Sequence, residues 1–122
     1  LNLSAYDDLP AGDSYTSWNG RSFVPSTGTT INFDKPRTYG MNGTAVTGNL
    51  TIATAGADDS VMVKVLHNNS TEPTISVPGG VTKRLLSGEY VTDEDNVYLF
   101  IIDKDSAGDV KAVNYTITQN TL

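Results

Sequence analysis

A run of mostly apolar residues over positions 96–103 is the clearest pattern in the chain. It is too short for a stable helix and is rich in β-branched and aromatic residues, which is typical of a central strand covered on both faces. A turn-rich segment follows at residues 104–109, and apolar and polar residues then alternate over 113–118. Because this alternation indicates a half-buried strand, the end of the chain predicts a buried sheet.

Shorter segments upstream also alternate between apolar and polar positions. In residues 60–66 three valines point to one face of the predicted strand, and Met62, Lys64 and Leu66 point to the other. Turn residues such as glycine, proline and asparagine separate the segments at intervals of about eight to twelve residues. The predicted strand segments are residues 30–33, 49–53, 60–66, 74–77, 81–86, 96–103 and 113–118.

This spacing of strands and turns predicts an all-β fold. We expect an antiparallel β-sandwich or jelly roll of about seven or eight strands. No strand or helix period persists in residues 1–29, so we predict an extended N-terminal arm or loop region at 1–29 and a β-sandwich domain at residues 30–122. Four aromatic residues of the arm are candidates for packing on the same domain or on a partner: Tyr6, Tyr15, Trp18 and Phe23.

Composition narrows the classes of function. A length of 122 residues suggests one domain. With no cysteine, disulfides, thiolate metal sites and a cysteine nucleophile are excluded. The net charge of −6 disfavours binding to nucleic acid and to anionic membranes. The start shows no signal-peptide pattern and no methionine, so we expect a mature product or a piece of a longer protein.

The single histidine, His67, is the one candidate for the general base of a serine nucleophile. Ser70 and Asp58 could complete a triad, but the sequence has no nucleophile elbow to position a serine. A lone histidine also lacks the further ligands of a typical zinc site. We therefore predict no catalytic residue and no cofactor, and we expect the ring to bond a nearby carbonyl or carboxylate. A small hydrolase using His67 is the weakest of three functional hypotheses.

Acidic residues near the C-terminus partly imitate a calcium-binding loop. Asp103, Asp105 and Asp109 are the candidate ligands, but Ala107 and Asn114 occupy positions where such a loop has ligands. The pattern favours a charged hairpin tip over a metal site, because aspartate and glycine are common turn residues.

Aromatic residues in or near loops are candidates for stacking on sugar rings, because their faces are flat and apolar. Trp18, Tyr39 and Tyr90 have such positions, with burial in the core as the alternative. They support the second functional hypothesis, a carbohydrate-binding module or cell-surface adhesin.

Several phrases of the sequence, taken in order, resemble small β-domains in surface proteins of tailed-bacteriophage virions, such as fibres and capsid decorations. The strand-and-turn phrase at residues 65–73 is the most specific of them. The phrases are residues 33–37 (FDKPR), 47–52 (TGNLTI), 65–73 (VLHNNSTEP), 86–91 (LSGEYV), 96–101 (NVYLFI) and 113–119 (VNYTITQ).

The resemblance implies a non-enzymatic structural or adhesive protein on the outside of a virion. It also implies contacts with other virion proteins or with identical subunits, with a homotrimer favoured, and a possible host-surface glycan. The arm would then dock on a partner through its aromatic residues. This is the first of the three hypotheses.

Overall fold

The structure, a computed structural model, describes residues 17–18, 21–40 and 44–119 of the chain. This part contains eleven strands, which hold 49% of its residues, and no helix, so the all-β prediction is confirmed. Within the same ranges there is accordingly no helical segment that could cross a bilayer. The strands are β1 (Ser17–Trp18), β2 (Arg21–Ser22), β3 (Val24–Ser26), β4 (Thr30–Asn32), β5 (Arg37–Tyr39), β6 (Leu50–Ala53), β7 (Val63–His67), β8 (Ile75–Ser76), β9 (Thr82–Ser87), β10 (Asn96–Lys104) and β11 (Val110–Thr118).

Two larger sheets and one short pair contain these strands. The six-stranded sheet has the order β3-β5-β7-β10-β11-β9, and the three-stranded sheet has the order β4-β6-β8. In the larger sheet β10 runs antiparallel to β7 and β11, while the β3–β5, β5–β7 and β9–β11 pairs are parallel. Both pairs in the smaller sheet are parallel, and β1 pairs with β2 antiparallel.

The prediction of a purely antiparallel fold is therefore wrong, because the sheets are mixed. From β3 to β9 the chain alternates between the two larger sheets, so strands that are neighbours in one sheet are separated by a strand of the other. When the chain passes through one strand of the other sheet and comes back, it re-enters its original sheet in the same direction. The strands before and after such a crossover are therefore parallel when they pair. The turn signals mark where each strand ends but not which sheet the next one joins.

Strand β10 is central and buried on both faces, as predicted. Tyr98, Phe100 and Ile102 pack in one core cluster, and Val97 and Leu99 pack in another. Successive side chains of a strand point to opposite faces, so the sheet has an apolar layer on each side.

Strand β7 beside it shows the same pattern. Val63 and Val65 belong to the first cluster and Leu66 to the second, which confirms the two faces predicted from the alternation. Lys64 is buried on the second face, where its Nζ lies 4.2 Å from the ring centroid of Phe23. At this distance the ammonium and the ring make a cation–π contact.

The first core cluster contains residues of both larger sheets. The smaller sheet contributes β-branched and leucine side chains, and the larger sheet contributes most of the aromatic ones. Its buried members are Ile31, Phe33, Tyr39, Leu50, Ile52, Ala57, Val61, Val63, Val65, Ile75, Tyr98, Phe100, Ile102, Val113, Tyr115 and Ile117.

All seven predicted strand segments correspond to observed strands, with bounds that differ by up to three residues. Two strands of the larger sheet were not predicted. Val24–Ser26 (β3) lies at the end of the predicted arm, and Arg37–Tyr39 (β5) follows Pro36. Proline explains both omissions, because it argues against a strand: β3 contains Pro25, and β5 begins directly after Pro36.

Gly88 is required by the close approach of its loop to β11, and Gly88→Ala tests this. Gly88 has a φ of 88°, and a Cβ at this position would overlap the carbonyl oxygen of Ile117. We expect the substitution to lower the free energy of unfolding by at least about 2 kcal/mol, from left-handed strain plus the overlap. Gly79→Ala is the matched control, since a methyl group added at Gly79 would meet nothing within 4 Å. Equal urea midpoints for the two variants would contradict this account.

Candidate functional site

His67, the candidate catalytic residue, lies at the end of β7 and is completely buried, with 0% of its surface exposed. Its Nε2 lies 2.7 Å from the carbonyl oxygen of Gly48, and its Nδ1 lies 2.8 Å from the hydroxyl oxygen of Tyr90. A carbonyl oxygen can only accept, so Nε2 carries the proton and Nδ1 accepts from Tyr90. Both ring nitrogens are therefore engaged inside the protein.

The histidine ring belongs to a row of aromatic side chains. The rings of Tyr90 and Tyr98 approach it edge-on, with centroid distances of 5.6 and 6.2 Å. Tyr98 in turn stacks on Phe100 and Tyr115 at 5.5 and 5.9 Å. Offset and edge-on contacts at these distances stabilise a core beyond the area that they bury.

The electrostatics of the row favour neutral side chains. Burial lowers the pKa of His67. The hydrogen bond to the Gly48 carbonyl raises it and offsets this effect only in part. Burial also raises the pKa of Tyr98 and Tyr115, and the negative charge of Glu72 raises both further. Each group is held in its uncharged form near neutral pH, because low-dielectric surroundings disfavour the charged form.

The residues of the hypothetical triad are not brought together. Asp58 accepts hydrogen bonds from the backbone N–H and the hydroxyl of Ser60, at 2.8 and 2.6 Å. His67 instead bonds Gly48 and Tyr90. Its predicted bond to a carbonyl is present, although that carbonyl is 19 residues away in sequence rather than in the adjacent turn.

Asn96, which no sequence pattern singled out, organises the acidic loop before β10. Its Oδ1 accepts from the Val91 N–H at 2.9 Å and from Nε2 of Gln119 at 2.7 Å. Its Nδ2 donates to the carbonyls of Val91 and Glu94, both at 2.8 Å. A buried amide with all its bonds made fixes the loop to the sheet. The available signal was an amide residue at the start of a buried apolar run.

The candidate metal ligands lie at the β10–β11 hairpin tip and are engaged separately. Oδ1 of Asp105 accepts from the N–H groups of Ala107 and Asp109, and the Asp109 bond lowers the pKa of Asp105. Oδ2 of Asp103 accepts from Nδ2 of Asn114 at 2.8 Å. Over residues 23–40 and 44–119, no group of three acidic, histidine or cysteine side chains could hold a metal ion.

The predicted sugar-stacking aromatics have different environments. Tyr39 is 1% exposed, and its hydroxyl accepts from the Asn32 N–H at 2.9 Å. Its ring therefore offers no surface for stacking, because it is part of the core. Tyr90 is half-buried against His67, and Trp18 lies in β1.

One of the arm aromatics packs on its own domain. Phe23 is buried in the second core cluster, beside Met62 and Leu66. Tyr6 and Tyr15 lie outside the described residues.

An open groove of about 620 Å³ lies between two segments, residues 25–29 at the end of β3 and residues 44–48. Ser26, Thr27 and Thr47 place hydroxyl-bearing side chains in its lining, and Ala45 and Val46 make part of it apolar. Hydroxyl groups can both donate and accept hydrogen bonds, so the groove suits a neutral polar ligand.

Strand β9 has a different kind of surface. All six of its residues are exposed, including Leu85 at 48% and Leu86 at 54%. The pattern of the sequence predicts this strand but not its exposure. Leucine pairs usually indicate burial, and only the position of β9 at the edge of the sheet leaves them in solvent.

Comparison of the chain with protein-family models, with curated proteins and with solved structures gave no match. The resemblance to phage surface domains accordingly stays a prediction.

The buried histidine makes stability depend on pH. The pKa of His67 is lowered in the folded state relative to its usual 6.5, so the unfolded chain binds a proton first as pH falls. We expect unfolding free energy to decrease as pH falls through 6.5, with a slope of up to about 1.4 kcal/mol per pH unit. Urea unfolding between pH 7.5 and 5 measures this slope. A His67→Gln variant with the same slope would contradict it, whatever its absolute stability.

Replacing the Asn96 amide tests the loop anchor. Asn96→Asp keeps an acceptor but loses the Nδ2 donor, leaving the carbonyls of Val91 and Glu94 facing a carboxylate. We expect a loss of about 2–4 kcal/mol in unfolding free energy. Asn69→Asp is the matched control, because its side chain accepts from the Ser70 N–H and an aspartate preserves that bond. Similar midpoints for both variants in chemical denaturation would show that Asn96 is not an anchor.

Proposed function

We propose that this protein is a non-enzymatic assembly domain, built as a sandwich of its two larger sheets, that acts through surface contacts. The sandwich is supported by the first core cluster, which joins β4, β6 and β8 to β7, β10 and β11. The mixed sheets make it a sandwich with parallel as well as antiparallel pairs.

One observation carries the proposed mode of action. Within residues 23–40 and 44–119, the exposed large hydrophobic side chains lie on the two edge strands of the six-stranded sheet. Val24 lies on β3 at one edge, and Leu85 and Leu86 lie on β9 at the other. Apolar side chains at sheet edges are suited to contacts with other chains.

The buried histidine supports the same proposal. A catalytic base needs a free lone pair within reach of substrate. His67 uses one nitrogen for Gly48 and the other for Tyr90, so its role is to hold strand and loops together.

A virion-surface location is the setting that we propose for this domain, with other virion proteins or identical subunits as partners. Its support is the sequence resemblance alone, above all the phrase at residues 65–73.

Binding of a host-surface or other glycan is the second candidate function. The hydroxyl-lined groove favours it, since hydroxyls of the protein can pair with those of a sugar. Aromatic stacking on sugar rings supports it less strongly, because the Tyr39 ring is buried.

The aromatic residues of the arm provide the test of assembly. We expect a Tyr6→Ser, Tyr15→Ser, Trp18→Ser variant to keep the melting temperature of the domain while its incorporation into native particles or oligomers falls at least tenfold. The physical reason is that large aromatic anchors dominate the binding energy of an interface, and serine cannot replace the apolar area that they bury. Sedimentation and electron microscopy of the assemblies measure the incorporation.

The matched control is Lys35→Ser, an exposed position on the described domain. Incorporation of the arm variant at the control level would reject docking through the arm. Glycan-array binding that depends on Trp18 would instead favour the carbohydrate-binding candidate.

A further inference from the structure

Strand β9 presents an unpaired main-chain edge. It pairs with β11 on one side, and no described strand pairs with it on the other. Such an edge exposes N–H and C=O groups that a further strand can bond. All six of its residues are exposed.

The cations of β9 are held against their own chain. Nζ of Lys83 donates to the carbonyl of Ile75 at 3.0 Å, and a guanidinium nitrogen of Arg84 lies 3.7 Å from Oδ2 of Asp103. Charged side chains often protect a sheet edge from pairing. Here both are directed to groups of the same chain, and Leu85 and Leu86 are the large apolar side chains that β9 exposes.

From these features we propose that β9 is a homodimer interface, on which the β9 strand of a second copy of this chain pairs antiparallel about a two-fold axis. This inference rests on the proposed assembly function and names one surface that performs it. The two six-stranded sheets would then continue across the axis as one sheet.

The opposite edge of the sheet argues for this closed arrangement over an open one. A head-to-tail array would pair β9 with β3 of the next copy, but β3 contains Pro25. Proline has no N–H and is unsuited to an additional ladder. Pairing β9 with its own copy avoids that defect and closes the assembly at two chains.

The charges of β9 select the register. A two-fold axis perpendicular to the sheet sets one residue of β9 opposite its own copy. An axis at Lys83 or Arg84 would oppose like charges, which is destabilising. An axis at Leu85 sets the two leucines against each other and opposes no like charges.

The size of the contact predicts a weak dimer. The register between β11 and β9 shifts after Leu85, where Leu86 is an extra residue, so only a short ladder can form. Interfaces below about 1,200 Å² are typical of transient association. We therefore expect concentration-dependent dimers rather than a permanent pair.

The absence of cysteine from the chain makes this register directly testable. Opposed residues of antiparallel strands have Cα atoms about 4.5–5.5 Å apart, within the span of a disulfide. We expect full-length Leu85→Cys to form a covalent dimer under mild oxidation at least tenfold faster than Thr51→Cys. Thr51 is the matched control, because it is an exposed residue of β6, a strand that is paired on both sides in the smaller sheet.

A second measurement is the mass of the full-length chain by sedimentation at increasing concentration. We expect a monomer–dimer equilibrium whose association constant falls at least tenfold in Leu85→Lys and is unchanged in Thr51→Lys. Equal cross-linking rates for Leu85→Cys and Thr51→Cys would overturn the β9 interface. So would a trimer or larger assembly that Leu85→Lys leaves intact, although that result would preserve the assembly function. A full-length chain that stays monomeric at every concentration would also overturn the β9 interface. If the arm substitutions then leave incorporation into particles unchanged as well, the proposed assembly function is rejected too.

Discussion

Burial of β10 on both faces is the constraint on which the rest of the structure depends. Its side chains need an apolar layer on each side of the sheet, because uncovered apolar area costs about 25 cal/mol per Å². The smaller sheet covers the side of Tyr98 and Phe100, and the cluster around Phe23 covers the side of Val97 and Leu99. The positions of these covering layers determine which surfaces stay available for other molecules.

The path of the chain between the layers explains where the exposed surface lies. Strands β3 to β9 alternate between the two larger sheets, and β9 then pairs with β11 at the outside of the six-stranded sheet. Its leucines project where the smaller sheet does not cover them, so they remain exposed. The contact surface that we propose is therefore a direct consequence of the winding that makes the sheets mixed. A purely antiparallel meander would have placed the same segment differently.

Polar groups in the interior connect the loops to this framework. His67 joins β7 to the Gly48 carbonyl and to Tyr90, and Asn96 joins β10 to the carbonyls of the acidic loop. An unpaired buried donor or acceptor costs free energy, so the hydrogen bonds of these two side chains restrict the loops that they join. His67, which suggested chemistry in the sequence, thus helps to hold the domain together. The same holds for Asp105, which closes the hairpin tip.

The sequence by itself determined the all-β class, seven of the described strands and the two faces of β7 and β10. Apolar alternation is local and reports directly which side chains leave water. Only the tertiary structure decided that several neighbouring strands are parallel, that His67 pairs with Gly48 and Tyr90, and that Leu85 is exposed. These depend on which distant segments meet. A strand can join either sheet with the same alternation, and the choice is made by long-range packing that no single segment encodes.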